Sequence, residues 1–475
     1  MVGINRRSFI RGGAATAAGL AVAGPFRGYA AHAARGGATS HGYGPLGPVA
    51  DLLDGVVRLD LPPGFQYRSF HQAGTVLNDG ATLPGRHDGM FAFHRRGKIV
   101  LVRNHELNGN LGVPNSEVPL GDPAAGYDPL TKGGTVTVEV DNWGHTGRSH
   151  VSLSGTQMNC SGGPTPWGTW PTCEETVNGG DVGPDFTGTP NTGLRKHGYI
   201  FEVPTDGVAA ARPIRAAGRF PHEAAVVTPH GRAVYLTEDN FAFPSGFYRY
   251  TPVRRDLPHR LVKRGRLDML AVDGIDGAEL YKGQAAGATF PVRWVRIFDP
   301  DPTFAPGTTN DQALVAVGDQ GRAQGAALFS RLEGGFWSHG KVYFTSTQGG
   351  AASDAVTAGF GTGRGQVWAF TPGANVLELV FESPVSTTLD LPDNVTATRR
   401  GTLVLCEDGS GDNFLRGLTR EGELFDIARN ADAAQVGQEF AGATFSPDGH
   451  TLYVNVQSSS GYSVAIWGPW SQGGM

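Results

Sequence analysis

The hydrophobic positions of this chain fall in short runs rather than in stripes of helical spacing, and six of those runs share one layout. Each starts at a turn glycine, passes through β-branched or aromatic residues, and closes on polar groups. The copies lie at 97–106, 168–175, 231–239, 340–348, 401–408 and 449–457. A repeat whose unit is a short strand predicts a small sheet used many times, hence an all-β chain folded as a β-propeller around a central channel. Six copies favour six blades, with a seventh open if a further repeat is degenerate. The copies are unevenly spaced, which predicts loop insertions at 107–134, 180–195 and 254–290. The last of these, around Leu267–Asp268–Met269–Leu270, is expected to hold a short helix.

Composition agrees with that picture. The 475 residues include 71 Gly and 31 Pro, and only 17% are charged, which suits many short elements joined by turns. A net charge of -5 without basic runs argues against a nucleic-acid surface.

The first 33 residues read as an export signal. Arg6 and Arg7 precede a weakly hydrophobic Gly/Ala stretch, the layout of a twin-arginine signal, with a cleavage option at Ala31–His32–Ala33. Residues 34–50 read as a flexible leader and 51–475 as a single propeller domain. The expected location is the periplasm, cell envelope or exterior, reached through the twin-arginine export machinery. No later run of about 20 apolar residues predicts a stable membrane anchor. Three cysteines, Cys160, Cys173 and Cys406, leave at least one thiol outside any disulfide.

The polar ends of the copies carry the candidate chemistry. Asn104 and Glu106 share a face on an extended strand, and an amide oxygen with a carboxylate suits a hard cation such as Ca²⁺. Cys173 stands beside Glu174 and Glu175. A thiolate among acids is unusual for calcium alone, because sulfur favours a softer or transition metal. Glu223 enters an apolar run. Arg331 and Glu333 share a face, so the guanidinium can grip an anion held by a metal on Glu333. Asp393, Asn394 and Glu407 add oxygen donors. Glu238–Asp239 is a second-tier candidate, and Asp408 is read as a ligand or a turn residue.

These motifs resemble the PhoX family of exported alkaline phosphatases. The resemblance rests on Arg103–Asn104–His105–Glu106, on the stretch from Asn159–Cys160 to Glu175, and on Phe220–Pro221–His222–Glu223. It continues through Leu332–Glu333–Gly334–Gly335, Pro392–Asp393–Asn394, Leu405–Cys406–Glu407–Asp408 and Glu439–Phe440–Ala441–Gly442. It implies a six-bladed propeller with an oxo-bridged cluster of iron (Fe³⁺) and calcium (Ca²⁺) in its channel. Cys173 is then the iron-binding cysteine. Asn104, Glu106, Glu223, Glu333, Asp393, Asn394 and Glu407 are the further metal ligands, and Arg331 is a phosphate contact. The implied reaction is hydrolysis of small phosphomonoesters by a metal-bound oxo or hydroxide nucleophile. Pro171 departs from the family pattern, standing where a leucine is usual. Two other readings use the same acids: a non-catalytic propeller braced by calcium that binds an envelope partner, and a calcium-dependent propeller lactonase. Neither explains a thiol among the ligands.

Overall fold

The computed structural model describes residues 42–110, 118–253, 260–261, 263–355 and 359–475. The signal read at residues 1–33 and the first part of the leader lie outside the described residues. Among those described, strands dominate and one α-helix, Asn310–Arg322, is present. No described helix is long and apolar enough to cross a membrane.

All six repeat glycines are turn residues with left-handed backbone: φ is 78° at Gly97, 81° at Gly168, 59° at Gly231, 82° at Gly340, 92° at Gly401 and 79° at Gly449. A side chain is strained in that conformation, so glycine fixes where each strand reverses. The reversals build antiparallel sheets. His87–Arg95, Lys98–His105, Gly133–Val140 and Thr146–Thr156 form one, and Asn159–Gly162, Thr169–Glu174 and Ile200–Pro204 the next. A nine-stranded sheet follows. It runs from His222–Val227 out to Thr289–Arg296, where Thr289, Phe290 and Pro291 pair with Glu378, Leu377 and Val376, and returns to Leu332–Ser338. Pro392–Ala397 begins a six-stranded sheet. Phe440–Phe445, Thr451–Val456 and Tyr462–Trp467 form the last, and Gln66–Phe70 from the start of the chain completes it.

The first strands of these units pack side by side in a closed circuit. His87–Arg95 lies against Asn159–Gly162, which lies against His222–Val227. Leu332–Ser338, Pro392–Ala397 and Phe440–Phe445 follow, and the last returns to His87–Arg95. The arrangement is propeller-like. Apolar clusters fill the spaces between neighbouring sheets, Val102 with Trp170 and Phe201 and Val404 with Leu452 and Val464, and the space between the two halves of the nine-stranded sheet, Phe247 with Phe344 and Phe370. Because each sheet is covered on both faces, strands such as His222–Val227 and Thr451–Val456 are buried throughout rather than at alternate residues.

Two local expectations are corrected. Gly265–Val272 is a strand, not a helix; its β-branched and long apolar residues pair with Phe247–Pro252 and Thr289–Arg296. Its Leu267, Met269 and Ala271 enter one core and Leu270 and Val272 another, a period of two. The leader also ends before residue 50. Tyr43 packs on Phe65 and Trp470, and Gly47–Ala50 pairs with Val57–Leu61.

A buried ion triad braces the second sheet. His197 donates through Nδ1 to Glu174 at 2.6 Å and through Nε2 to Asp128 at 3.3 Å. Burial opposes its charge, yet the two carboxylates prevail and push its pKa up to about 9. A histidine raised in the folded state adds stability that is complete below its unfolded pKa and disappears as pH rises through the folded one. His197→Gln is therefore expected to cost about 3 kcal/mol near pH 6. That cost should shrink as pH passes 9, which denaturant unfolding of the metal-loaded protein at pH 6 and pH 10 measures.

Candidate metal centre

Every first strand makes one pair with its neighbour, or two in Phe440–Phe445, and then slips. The register shifts between His87 and Met90, Asn159 and Gly162, His222 and Ala225, Leu332 and Gly335, Pro392 and Val395, and Ala441 and Thr444. Such bulges bend a strand and re-aim a side chain. The first bulged residue is Asp88, Cys160, Glu223, Glu333, Asp393 or Gly442 in turn. Five of six equivalent positions thus carry an acid or a thiol. The sixth is a glycine at φ 64°, where a Cβ would come within 2.5 Å of the Asp88 carbonyl oxygen. Glu439, just before that last strand, adds another carboxylate.

A second set follows the neighbouring strands by one residue: Glu106 after Lys98–His105, Glu175 after Thr169–Glu174, Asp239 after Val234–Glu238 and Asp408 after Leu403–Glu407. Ligand atoms of Cys160, Glu175 and Glu223 lie within 4.8 Å of one another, and so do those of Glu223, Glu333 and Asp393. Glu223 belongs to both triads. Its Oε2 is buried without a hydrogen-bond partner.

Electrostatics ties the wider set together. Burial, then repulsion from Glu333, Asp393 and Glu175, holds the Glu223 carboxyl well above the usual range. Asp88 is raised by burial and then by Glu106 and Asp393, Glu333 by burial and then Asp239, and Glu439 by burial and then Asp408 and Asp393. Asp393 is pushed up to about 7 by burial and then Asp408. The Cys160 thiol is raised by burial and then by Glu223, Glu175 and Asp88. Arg331, at φ 48°, faces these acids. Its Nε and Nη2 donate to Asp239 at 3.1 and 3.0 Å, Nη2 also donates to Glu333, and its guanidinium lies 4.1 Å from the Phe241 ring centroid. Asp88, Glu223, Glu333, Asp393 and Glu439 are buried close enough to repel one another, and gathering like charges away from water is costly. Oxygen donors with one sulfur suit hard cations together with a softer one.

The structure moves four of the expected ligands away from this cluster. Cys173 sits opposite the bulge of Cys160 and packs in an apolar core with Ile200 and Phe220; the thiol at the acids is Cys160. Asn104 occupies the same position opposite the bulge of Asp88. Its Nδ2 donates to the carbonyls of Cys160 and Ser161, and its Oδ1 accepts from Trp170 Nε1 and Thr172 Oγ1. Thr237 and Thr345 repeat that strut, donating to the Glu333 and Asp393 carbonyls of the next unit. Position opposite a bulge thus braces the neighbour.

Glu407 misses by one residue. Its carboxylate accepts from Asp390 N, Phe414 N and Arg416 Nε, as Glu174 and Glu238 do at the equivalent places in their sheets. A one-residue step changes the face of a strand, so Asp408 is the residue that joins the cluster. Asn394 positions: its Nδ2 donates to Asp393 Oδ1 and its Oδ1 accepts from Gly442 N. Glu223, Glu333 and Asp393 are brought together as expected, and Glu106 and Arg331 stand beside them. Asp88 and Cys160 were missed. Their signal is the pattern shared with the other first strands, an acid or thiol followed by a small or amide residue: Asp88–Gly89, Cys160–Ser161, Glu223–Ala224, Glu333–Gly334 and Asp393–Asn394.

A family model described as "Alkaline phosphatase PhoX" matches residues 41–148 and 114–460. Pseudomonas fluorescens PhoX, solved in complex with vanadate, a transition-state analogue, superposes with a TM-score of 0.65 at 16% identity. The match covers 91% of this chain and 98% of that one, and it bears on the fold. A streptogramin B lyase gives a TM-score of 0.38 at 10% identity, over 86% of this chain and 98% of that one. A gluconolactonase from Xanthomonas campestris gives 0.34 at 13%, over 84% and 99%. No curated protein sequence matches the chain significantly.

Proposed function

The chain belongs to the PhoX family of alkaline phosphatases, and from that premise we propose that it is an exported phosphomonoesterase with a mixed iron and calcium centre. The observation that carries the reading is the pair of triads sharing Glu223, one of which contains the Cys160 thiol. Reading the nine-stranded sheet as two units joined at their outer strands makes the architecture six-bladed, one blade for each bulged first strand.

Cys160, Glu175 and Glu223 would hold the iron side, and Glu223, Glu333 and Asp393 the adjoining site. Asp88, Glu106, Asp408 and Glu439 would complete the oxygen-rich calcium side. Bound ions supply positive charge that neutralises phosphoryl oxygens and lowers the pKa of the attacking water. Arg331 then contributes binding. Once a cation takes Glu333, its guanidinium is free to turn part of its donor fork from that carboxylate to a phosphoryl oxygen, while Asp239 and the Phe241 ring keep it aimed. Asn104, Thr237 and Thr345 keep neighbouring bulges in register, which holds the acids within ligand distance. No side chain need carry a covalent phosphoryl group.

Elemental analysis of natively exported protein, purified without chelators, tests this. Iron and calcium, each at or above one per chain, are expected. Calcium without iron in fully loaded protein overturns the mixed centre. The cysteines separate the assignments further: Cys160→Ala is expected to lose iron and turnover together. Cys173→Ala should keep its iron and lose about 1 to 2 kcal/mol of stability, the cost of a small cavity.

A further inference from the structure

Beside the acid cluster lies a cavity of about 410 Å³. Glu175 and Asp239 are among its walls, so it opens on the centre itself. The remainder is built by separate stretches: Met158, Phe186 from the insertion at 180–195, Phe241 and Phe243 from the segment after Asp239, and Leu314 from the helix Asn310–Arg322. Met158 is buried, Phe241, Phe243 and Leu314 are half-buried, and Phe186 is 63% exposed at the rim. Among the described residues no Lys, Arg or His lines the cavity, and the charged side chains beyond the cluster are Asp185 and Asp311. Asp185 is already an acceptor for Asn178 and Thr187. Asn240 also lines the space. Its Nδ2 donates to Glu238 at 2.9 Å, and its Oδ1 is buried with no hydrogen-bond partner.

We propose that this cavity receives the alcohol portion of the phosphoester and selects neutral, apolar alcohols over those bearing further carboxylate or phosphate charge. The inference rests on the phosphatase reading above. In the reaction, the P–O bond to the alcohol breaks as a P–O bond to water forms. The products are inorganic phosphate and the free alcohol, whose oxygen takes up a proton from the water consumed. Phe241, stacked under Arg331, joins the position where Arg331 would hold the phosphoryl group to the apolar wall of the cavity. Aromatic and aliphatic walls reward buried hydrocarbon, about three- to fourfold in affinity for each methylene. A second anion in the cavity would meet Asp185, Asp311 and the unpaired amide oxygen of Asn240. A hydroxyl, by contrast, can donate to Asn240 Oδ1.

The test uses the full-length, metal-loaded chain and alkyl phosphates whose alcohols differ little in acidity: ethyl, butyl and 2-phenylethyl phosphate, with 3-phosphoglycerate as the charged comparison. Expected are kcat/KM values at least about tenfold higher for 2-phenylethyl than for ethyl phosphate, carried mostly by KM, and lower for 3-phosphoglycerate than for ethyl phosphate. Phe186→Ala and Leu314→Ala should shrink the first ratio severalfold, and Asp311→Lys should raise 3-phosphoglycerate relative to ethyl phosphate. Equal kcat/KM for ethyl and 2-phenylethyl phosphate, or ratios unmoved in all three variants, overturns the cavity assignment and leaves the phosphatase reading standing. Failure of ion-replete protein to hydrolyse any of the four overturns the phosphatase reading, and this inference with it.

Discussion

Glu223→Gln is expected to lower phosphatase turnover by roughly 10³-fold or more, to reduce the bound ions per chain, and yet to raise the melting temperature of the chelated protein. The change keeps the side chain's shape and removes its charge. Glu223 supplies the carboxylate common to both triads, and an amide offers a single neutral oxygen in place of a charged carboxylate. Loss of that charge should therefore weaken both ion positions together. The opposite sign in stripped protein follows from the repulsion. Glu333, Asp393 and Glu175 all disfavour a charge at Glu223, and Oε2 has no hydrogen bond to lose. Glu407→Gln is the contrasting case. Its carboxylate pairs with Arg416 at 2.9 Å and accepts two backbone N–H groups, so the amide should destabilise loaded and stripped protein alike while leaving ion content intact. Turnover of Glu223→Gln within tenfold of the parent would sink the shared-ligand assignment.

How much of this was legible in the chain depended on which strand of each unit carried the signal. The second strands announced themselves, since their turn glycines and β-branched runs recur, and the acids at their ends, Glu106 and Asp239, could be found by following them. The first strands were quieter. Their acids and thiol sit in bulges, where strict alternation of faces fails, so period-two reasoning does not bring them out. It points instead to Asn104 and Cys173, which lie directly opposite bulges, and passes over Asp88 and Cys160 inside them. The Glu407 to Asp408 slip has the same origin: where a strand ends decides which of two adjacent acids faces the channel. The helix Asn310–Arg322 went unforeseen although Thr309 and Gln312 form a capping box, a signal readable from residue spacing alone. The nine-stranded sheet is a tertiary feature. Three pairs between Thr289–Arg296 and Val376–Glu382 join two units far apart in the chain, and no local pattern encodes that contact.

Removing the ions should make the protein less stable as pH rises from about 4 through 7, the reverse of what paired surface carboxylates produce. Asp88, Glu223, Glu333 and Glu439 are all held above the ordinary carboxylate range, and Asp393 at about 7. In the unfolded chain the same groups titrate near 4. Between those limits the stripped folded state binds more protons than the unfolded state, so folding stability falls with increasing pH. Cations reverse the balance, because they compete with protons for the same oxygens and bind more tightly as the oxygens ionise. The melting-temperature gap between loaded and chelated protein is therefore expected to be small at pH 5 and to widen to about 10 °C by pH 8. As pH rises through about 9 both forms should lose the increment held by His197 alike, which lowers both melting temperatures and leaves the gap unchanged. Thermal unfolding of the two forms across pH 5 to 10 resolves the two windows, and Asp88→Asn or Glu223→Gln should flatten the lower one in stripped protein alone. A chelated protein whose melting temperature holds or rises between pH 5 and 8 would refute a buried acid cluster that depends on cations. If the slope is as expected, the alkaline working range of the family has a physical source in this chain: its ligands accept ions in place of protons only once the pH has passed their raised pKa values.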